Sequence, residues 1–161
     1  MSSVPQPQTD VPPIRKIAAG EDLFGEARVA AGSLAFKVVP PDPSGLLIFE
    51  MTFQQKGGPA RHLHLDQDEW FYVVEGEFIM EVGQERMRLN PGDSILAPRK
   101  VPHVWAYVSD TPGRMLFTFL PAGKMEAFMR EIAKASGPAP QEPGFWRTYD
   151  LELVGPPLAI E

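Results

Sequence analysis

The feature that most restricts the fold of this chain is a series of short apolar runs that alternate with period two. Leu34–Val39 is one such run. In Leu46–Gln55, the side chains of Leu47, Phe49, Met51 and Phe53 share a face. Glu69, Phe71 and Val73 share another, as do Phe78, Met80 and Val82. The pattern returns at His103, Trp105 and Tyr107, and again at Met115, Phe117 and Phe119. Period two places alternate side chains on one face of a half-buried strand. Many short strands separated by turn residues predict an all-β sandwich or barrel.

The prolines support this division. They cluster at Pro5, Pro7, Pro12 and Pro13, at Pro40, Pro41 and Pro43, and from Pro138 to Pro157. Proline cannot donate to a central ladder, so the gaps between clusters are where strands can lie. Glu75-Gly76-Glu77 reads as a hairpin turn and Asn90-Pro91-Gly92-Asp93 as a second turn. Residues 1–13 read as a disordered or loosely docked arm and residues 14–161 as one domain. Within that domain a core spans about 34–122, a helix about 123–136 and a tail 138–161.

The helix has Met125, Phe128, Met129 and Ile132 at i, i+3, i+4 and i+7, with Gly137 and Pro138 to end it. Its stripe suits packing on the barrel, a lid or a dimer contact. In the tail, one strand is expected near Tyr149–Val154. Phe145, Trp146 and Tyr149 suit either packing on the barrel or contact with a second copy.

Composition excludes several functions. The chain has no cysteine, which removes thiolate zinc sites, Fe–S clusters and a cysteine nucleophile. Its 15 basic and 21 acidic residues give a net charge of −6, which argues against a sequence-independent grip on nucleic acid. No apolar run is long enough to span a bilayer. Met1–Gln6 lacks the basic start and apolar stretch of a signal peptide, so a cytoplasmic location is the expectation.

The chemistry lies in the three histidines. His62 and His64, two apart on a strand, aim both imidazoles at one face. Glu69 follows at the start of the next run, and His103 opens a later one. Three neutral imidazoles and one carboxylate suit a borderline divalent metal and leave positions open for a ligand. Glycines 76 and 92 and Pro98 read as structural. Asp66 and Asp68 suit a solvated loop or, less often, hydrogen bonds to a ligand imidazole.

These residues carry a resemblance. Gly57-Gly58-Pro59-Ala60-Arg61-His62-Leu63-His64-Leu65-Asp66-Gln67-Asp68-Glu69, followed by Gly76, resembles the first motif of the cupins. Gly92, Pro98 and His103 resemble the second, with fifteen residues between Gly76 and Gly92 as in compact bacterial-type members. The likeness covers about 34–122. It departs at Gly57, one position late, at Lys100, which stands for a glycine, and at Tyr107, which stands for an asparagine. If the Lys100 turn needs positive φ, a lysine there costs about 1 kcal/mol, and a rebuilt turn is the expectation.

The resemblance implies a double-stranded β-helix, a cupin jelly-roll barrel, with one C-terminal amphipathic helix. It implies His62, His64, Glu69 and His103 as ligands of one divalent transition metal, namely Fe, Ni, Mn, Zn or Cu. Strand parity adds a pocket of Phe71, Val73, Phe78, Met80, Trp105 and Tyr107, with Glu69 and Tyr107 as catalytic candidates. Trp70 is a further candidate for the pocket wall; Arg61 and Arg99 read first as surface residues, and either one at the mouth would favour an anionic substrate. The implied function is dioxygenase-like oxidation of a small phenolic or enolic chelator, resembling the quercetinase-like small cupins. The alternatives are a non-redox isomerase, epimerase or decarboxylase, and a non-catalytic small-molecule binder or sensor. The expected partners are a small ligand, anionic or metal-chelating, and a second copy in a homodimer; neither nucleic acid nor membrane is expected.

Overall fold

The period-two runs form strands in the computed structural model, which describes residues 13–30 and 32–160. The arm expected at 1–13 lies, except for Pro13, outside the described residues. The strands are β1 (Arg28–Val29), β2 (Ser33–Val38), β3 (Leu47–Phe53), β4 (Ala60–His64), β5 (Asp68–Glu75), β6 (Phe78–Val82), β7 (Glu85–Leu89), β8 (Ser94–Ala97), β9 (His103–Tyr107) and β10 (Gly113–Leu120). After them come α1 (Met125–Lys134), α2 (Pro143–Arg147) and β11 (Leu151–Pro157).

Two antiparallel sheets face each other. One has the order β1-β2-β3-β10-β5-β8 and the other β11-β4-β9-β6-β7. The apolar members of each alternating run point between the sheets, while their neighbours point out. On β5, Glu69, Phe71 and Val73 are buried while Trp70 lies outside, 36% exposed and stacked on Tyr72. Across the sheet Phe71 faces Phe117, which faces Phe49. Burying each such phenylalanine contributes about 1.5–3 kcal/mol.

The turn at Glu75-Gly76-Glu77 is not a hairpin. β5 and β6 belong to different sheets, so this turn is a corner that carries the chain across the barrel. Gly76 has φ 79°, and a Cβ there would come within 2.9 Å of the Gly113 backbone. The hairpin is the next turn, Gly83-Gln84, which joins the paired strands β6 and β7. The Asn90–Asp93 turn forms as expected, closed by Asp93 N–H to the Asn90 carbonyl (2.9 Å). It too passes between sheets.

Helix α1 buries Met125, Phe128, Met129 and Ile132, its expected stripe. It ends at Lys134 because Ser136, not Gly137, takes the left-handed conformation (φ 51°). Arg130 fastens the helix to the barrel, its guanidinium 4.9 and 5.1 Å from the ring centres of Phe24 and Phe36. Helix α2 was not expected. It is one turn long, too short to show a period, although Pro143 in its first turn is a start signal. β11 pairs with β4 through Leu151↔His64 and Leu153↔His62, covering the edge of the strand that carries two histidines. Trp146 on α2 is 1% exposed and packs on His62 and Phe128, so it is spent inside the chain.

Candidate metal centre

Three strands from both sheets bring the chemistry together. β4 supplies His62 and His64, which point inward because they lie two apart. β9 starts at His103, the register partner of His62. Glu69 comes from β5 on the opposite sheet. One donor atom from each of the four lies within 4.8 Å of the others, and all four residues are buried. Glu69 Oε2 is 3.0 Å from His64 Nε2 and 2.9 Å from His103 Nε2.

Backbone and side-chain acceptors fix which nitrogen faces the centre. His62 Nδ1 donates to the Ala60 carbonyl (2.7 Å). His103 Nδ1 faces the Val101 carbonyl at 3.5 Å. His64 Nδ1 donates to Gln67 Oε1, whose orientation is set because Gln67 Nε2 donates to the carbonyls of Pro121 (3.0 Å) and Ala122 (2.9 Å). A carbonyl only accepts, so the Nδ1 atoms carry protons and the Nε2 atoms of the neutral rings present lone pairs. His64 Nε2, His103 Nε2 and Glu69 Oε2 are buried without a hydrogen-bond partner. Converging lone pairs and a carboxylate at this distance repel unless a proton or a cation sits between them. The residues fit a divalent metal: borderline nitrogen and oxygen donors, buried, with their outer nitrogens tied.

Burial pushes the Glu69 carboxyl up, but His103 and His64 beside it hold it well below the usual carboxylate range. Burial, then the neighbouring His103 and His64, push the His62 imidazole well below its ordinary 6.5.

The loop before His103 is held in strain. Lys100 has φ 66°, so the turn keeps the glycine-type conformation and is not rebuilt around the lysine. Its N–H donates to the His64 carbonyl (2.7 Å). Asp68 supports the same loop, accepting from the Arg99 N–H (2.9 Å) and from its guanidinium (3.0 Å). Arg99 therefore lies on the surface. Arg61 pairs with Glu81 and is likewise outside the site. Asp66 is exposed and touches no ligand imidazole.

The pocket differs from the one expected. A cavity of about 90 Å³ adjoins His62, His64 and Glu69. Of the predicted wall, Trp105 lines it, but Phe71, Val73, Phe78, Met80 and Tyr107 do not. They fill the barrel as solid core, because a small barrel closes on its own inward side chains. Tyr107 is four residues beyond His103 on β9, about 13 Å along the strand. Its ring lies against Phe53 and the backbone of Gly113, 1% exposed, and burial and Asp110 push its hydroxyl up. Parity gave its face but not its depth, and it does not reach the metal centre. Sequence reasoning passed over Gln67, whose only signal was its position three residues after His64. For α1 a lid was one of three readings, and the structure places its stripe over the cavity; Trp146 beside it was given no role at the site.

Residues 49–119 match the family described as the Cupin domain. A protein of Methanocaldococcus jannaschii of uncharacterized function is 31% identical over 55 residues, 34% of this chain and 44% of that one; the match thus spans less than half of that relative. Among solved structures, KdgF from Halomonas sp. is similar at 27% identity over 56% of this chain and 79% of that one (TM-score 0.50). An RmlC-like cupin from Shewanella frigidimarina is similar at 24% over 70% and 96% (TM-score 0.51). Streptomyces Pac13, a nucleoside dehydratase, is similar at 15% over 89% and 93% (TM-score 0.57). Low identities of this size speak to fold, and the fold they share is the two-sheet barrel built by these strands. Residues 49–119 are thus a Cupin domain, and the strands around them complete the two-sheet barrel seen in these solved cupins.

Proposed function

We propose that this cupin is a metal-dependent enzyme, dioxygenase-like, that acts on a small substrate chelating through two oxygens. The observation that carries the reading is the convergence of His62, His64, His103 and Glu69 within 4.8 Å, with their outer nitrogens already bonded. A divalent ion held there would carry a net charge of +1 and supply Lewis-acid binding of an enolate or phenolate oxygen pair, with O₂ ordered beside it.

The chain's own residues do the rest. The imidazoles of His62, His64 and His103 hold their donor atoms in fixed directions, so chelation requires no rearrangement of the rings. Glu69 Oε2, already poised between two imidazoles, is the group placed to accept the proton that a chelating hydroxyl must lose. Phe117, Phe119 and the α1 face exclude water from the space above.

Metal analysis followed by anaerobic iron reconstitution and O₂-uptake measurements on catechols and enediols tests this directly. Stoichiometric metal and O₂ consumption with product are expected. Metal uptake with no turnover in any reconstituted form would sink the oxidative step. Ligand-dependent thermal shifts without product would instead mark a binding module. We also propose a homodimer, supported by the sheet edge at β1 with Val29 exposed beside it; a monomer mass by light scattering at micromolar concentration would contradict this. Among the described residues, no helix is long and apolar enough to cross a membrane.

A further inference from the structure

The cavity beside the metal centre has a one-sided chemistry. Its floor is His62, His64 and Glu69. Its remaining walls are apolar: Phe49, Phe117 and Phe119 from the barrel, and Met125, Phe128 and Met129 from α1 are the largest parts. Among the described residues, no lysine, arginine, serine, threonine, asparagine or glutamine lines it. The indole of Trp146, on the roof, spends its N–H on the Pro140 carbonyl (2.6 Å). Among the described residues these walls carry no positive charge, and the Trp105 indole N–H is their one uncommitted side-chain donor, so a second anionic group would find no counter-charge.

The space is also small. At about 90 Å³ it is well below the several hundred cubic ångströms of a cofactor-sized pocket. A cavity of about 150 Å³ holds a benzene molecule. Enlarging this one would mean moving α1, which is pinned by Arg130 to Phe24 and Phe36 and by Phe128 to Trp146.

We propose that the site selects compact chelators that carry one negative charge, all of it on the metal-binding oxygens, and an apolar body. The α1 face, Met125 and Met129 above all, sets this selectivity. Polyol-type ligands and ligands with a second carboxylate are disfavoured, because one indole N–H and no counter-charge stand against the water that each buried hydroxyl or carboxylate would lose. Methionine suits such a wall, since its flexible thioether moulds to an alkyl or planar body. This inference rests on the metal-enzyme reading above and narrows its substrate class.

A matched series tests it. 2-Hydroxybutanoate, glycerate and malate share an α-hydroxycarboxylate head and differ in the body: an ethyl group, a hydroxymethyl group and a second carboxylate. Each is titrated into the full-length protein loaded with cobalt(II), read by the shift of the visible metal band, with metal-free protein as control. We expect 2-hydroxybutanoate to bind about tenfold or more tightly than glycerate, in line with the loss for a buried unpaired hydroxyl. Malate, which grips free cobalt(II) more tightly through its third donor, should bind weakest. In Met129→Lys the order should turn toward malate by at least tenfold. Equal or tighter binding of glycerate or malate to the unmodified protein overturns the inference, as does binding of none of the three. Should Met129→Lys fail to fold, the unmodified protein's series still decides. Failure to take up one cobalt per chain would instead overturn the metal reading itself, so the two failures are distinct.

Discussion

His64 Nδ1 donates to Gln67 Oε1, and the Gln67 amide reaches on to the carbonyls of Pro121 and Ala122 at the entry to α1. One side chain thus orients an imidazole of the His/Glu cluster and holds the start of the helix that roofs the cavity. Replacing Gln67 by leucine removes three hydrogen bonds within a buried site. Metal affinity should fall about 10- to 100-fold, as is usual when a partner of a ligand histidine is lost. Stability should fall by about 2–3 kcal/mol, because unpaired buried groups cost about 1–3 kcal/mol each. Metal titration and urea unfolding measure the two effects. A leucine variant with unchanged metal affinity would remove Gln67 from the site.

His64→Ala and His103→Ala should each abolish stoichiometric metal while leaving the barrel folded. Elemental analysis with circular dichroism checks both points. In the unmodified protein, metal at a free concentration 100 times its Kd should add about 2.7 kcal/mol of stability, reversed by a chelator.

Acid should destabilise the metal-free protein in two steps. His62 resists protonation when folded, whereas the unfolded chain takes up that proton near pH 6.5. The unfolded state then binds more protons, so stability is lost as pH falls below about 6.5. Glu69 acts in the same direction at lower pH. Its folded carboxyl stays ionised while the unfolded one protonates near 4.5, so its contribution is present above that pH and lost below it. Urea unfolding between pH 7.5 and 4 should show stability decreasing below about pH 6.5; a flat profile there would contradict the burial argument for His62.

Lys100→Gly should stabilise the fold by up to about 1 kcal/mol, since lysine at φ 66° is strained and glycine is not. The N–H that reaches the His64 carbonyl is kept, so metal content should not change. Thermal unfolding and elemental analysis together test this.

Tyr107→Phe should leave metal content and chelator affinity unchanged. The hydroxyl lies at the far end of β9 from His103. A tenfold loss of chelator affinity on removing this one oxygen would place Tyr107 at the site after all.

The strands and the histidine–carboxylate cluster were legible because both rest on local properties. A period of two is written in neighbouring residues, so Glu69, Phe71 and Val73 declare a shared face without reference to the rest of the chain. His62 and His64 do the same. Depth along a strand is different. Trp105 and Tyr107 have the same parity, yet only Trp105 lines the cavity, because the barrel's other strands set which level of β9 meets open space. The corner at Gly76 looked like a hairpin for a similar reason. Its local chemistry turns the chain, but which sheet receives β6 depends on β9, remote in sequence.

By itself the sequence determined an all-β barrel, an inward-facing His-X-His pair, and a carboxylate and a third histidine on neighbouring runs. Only the tertiary structure decided that Gln67 locks His64, that Lys100 accepts strain, and that α1 and Trp146 close an apolar chamber over the centre. The physical reason is that alternation fixes direction, whereas cavities, tautomers and roofs arise where side chains far apart in the chain meet.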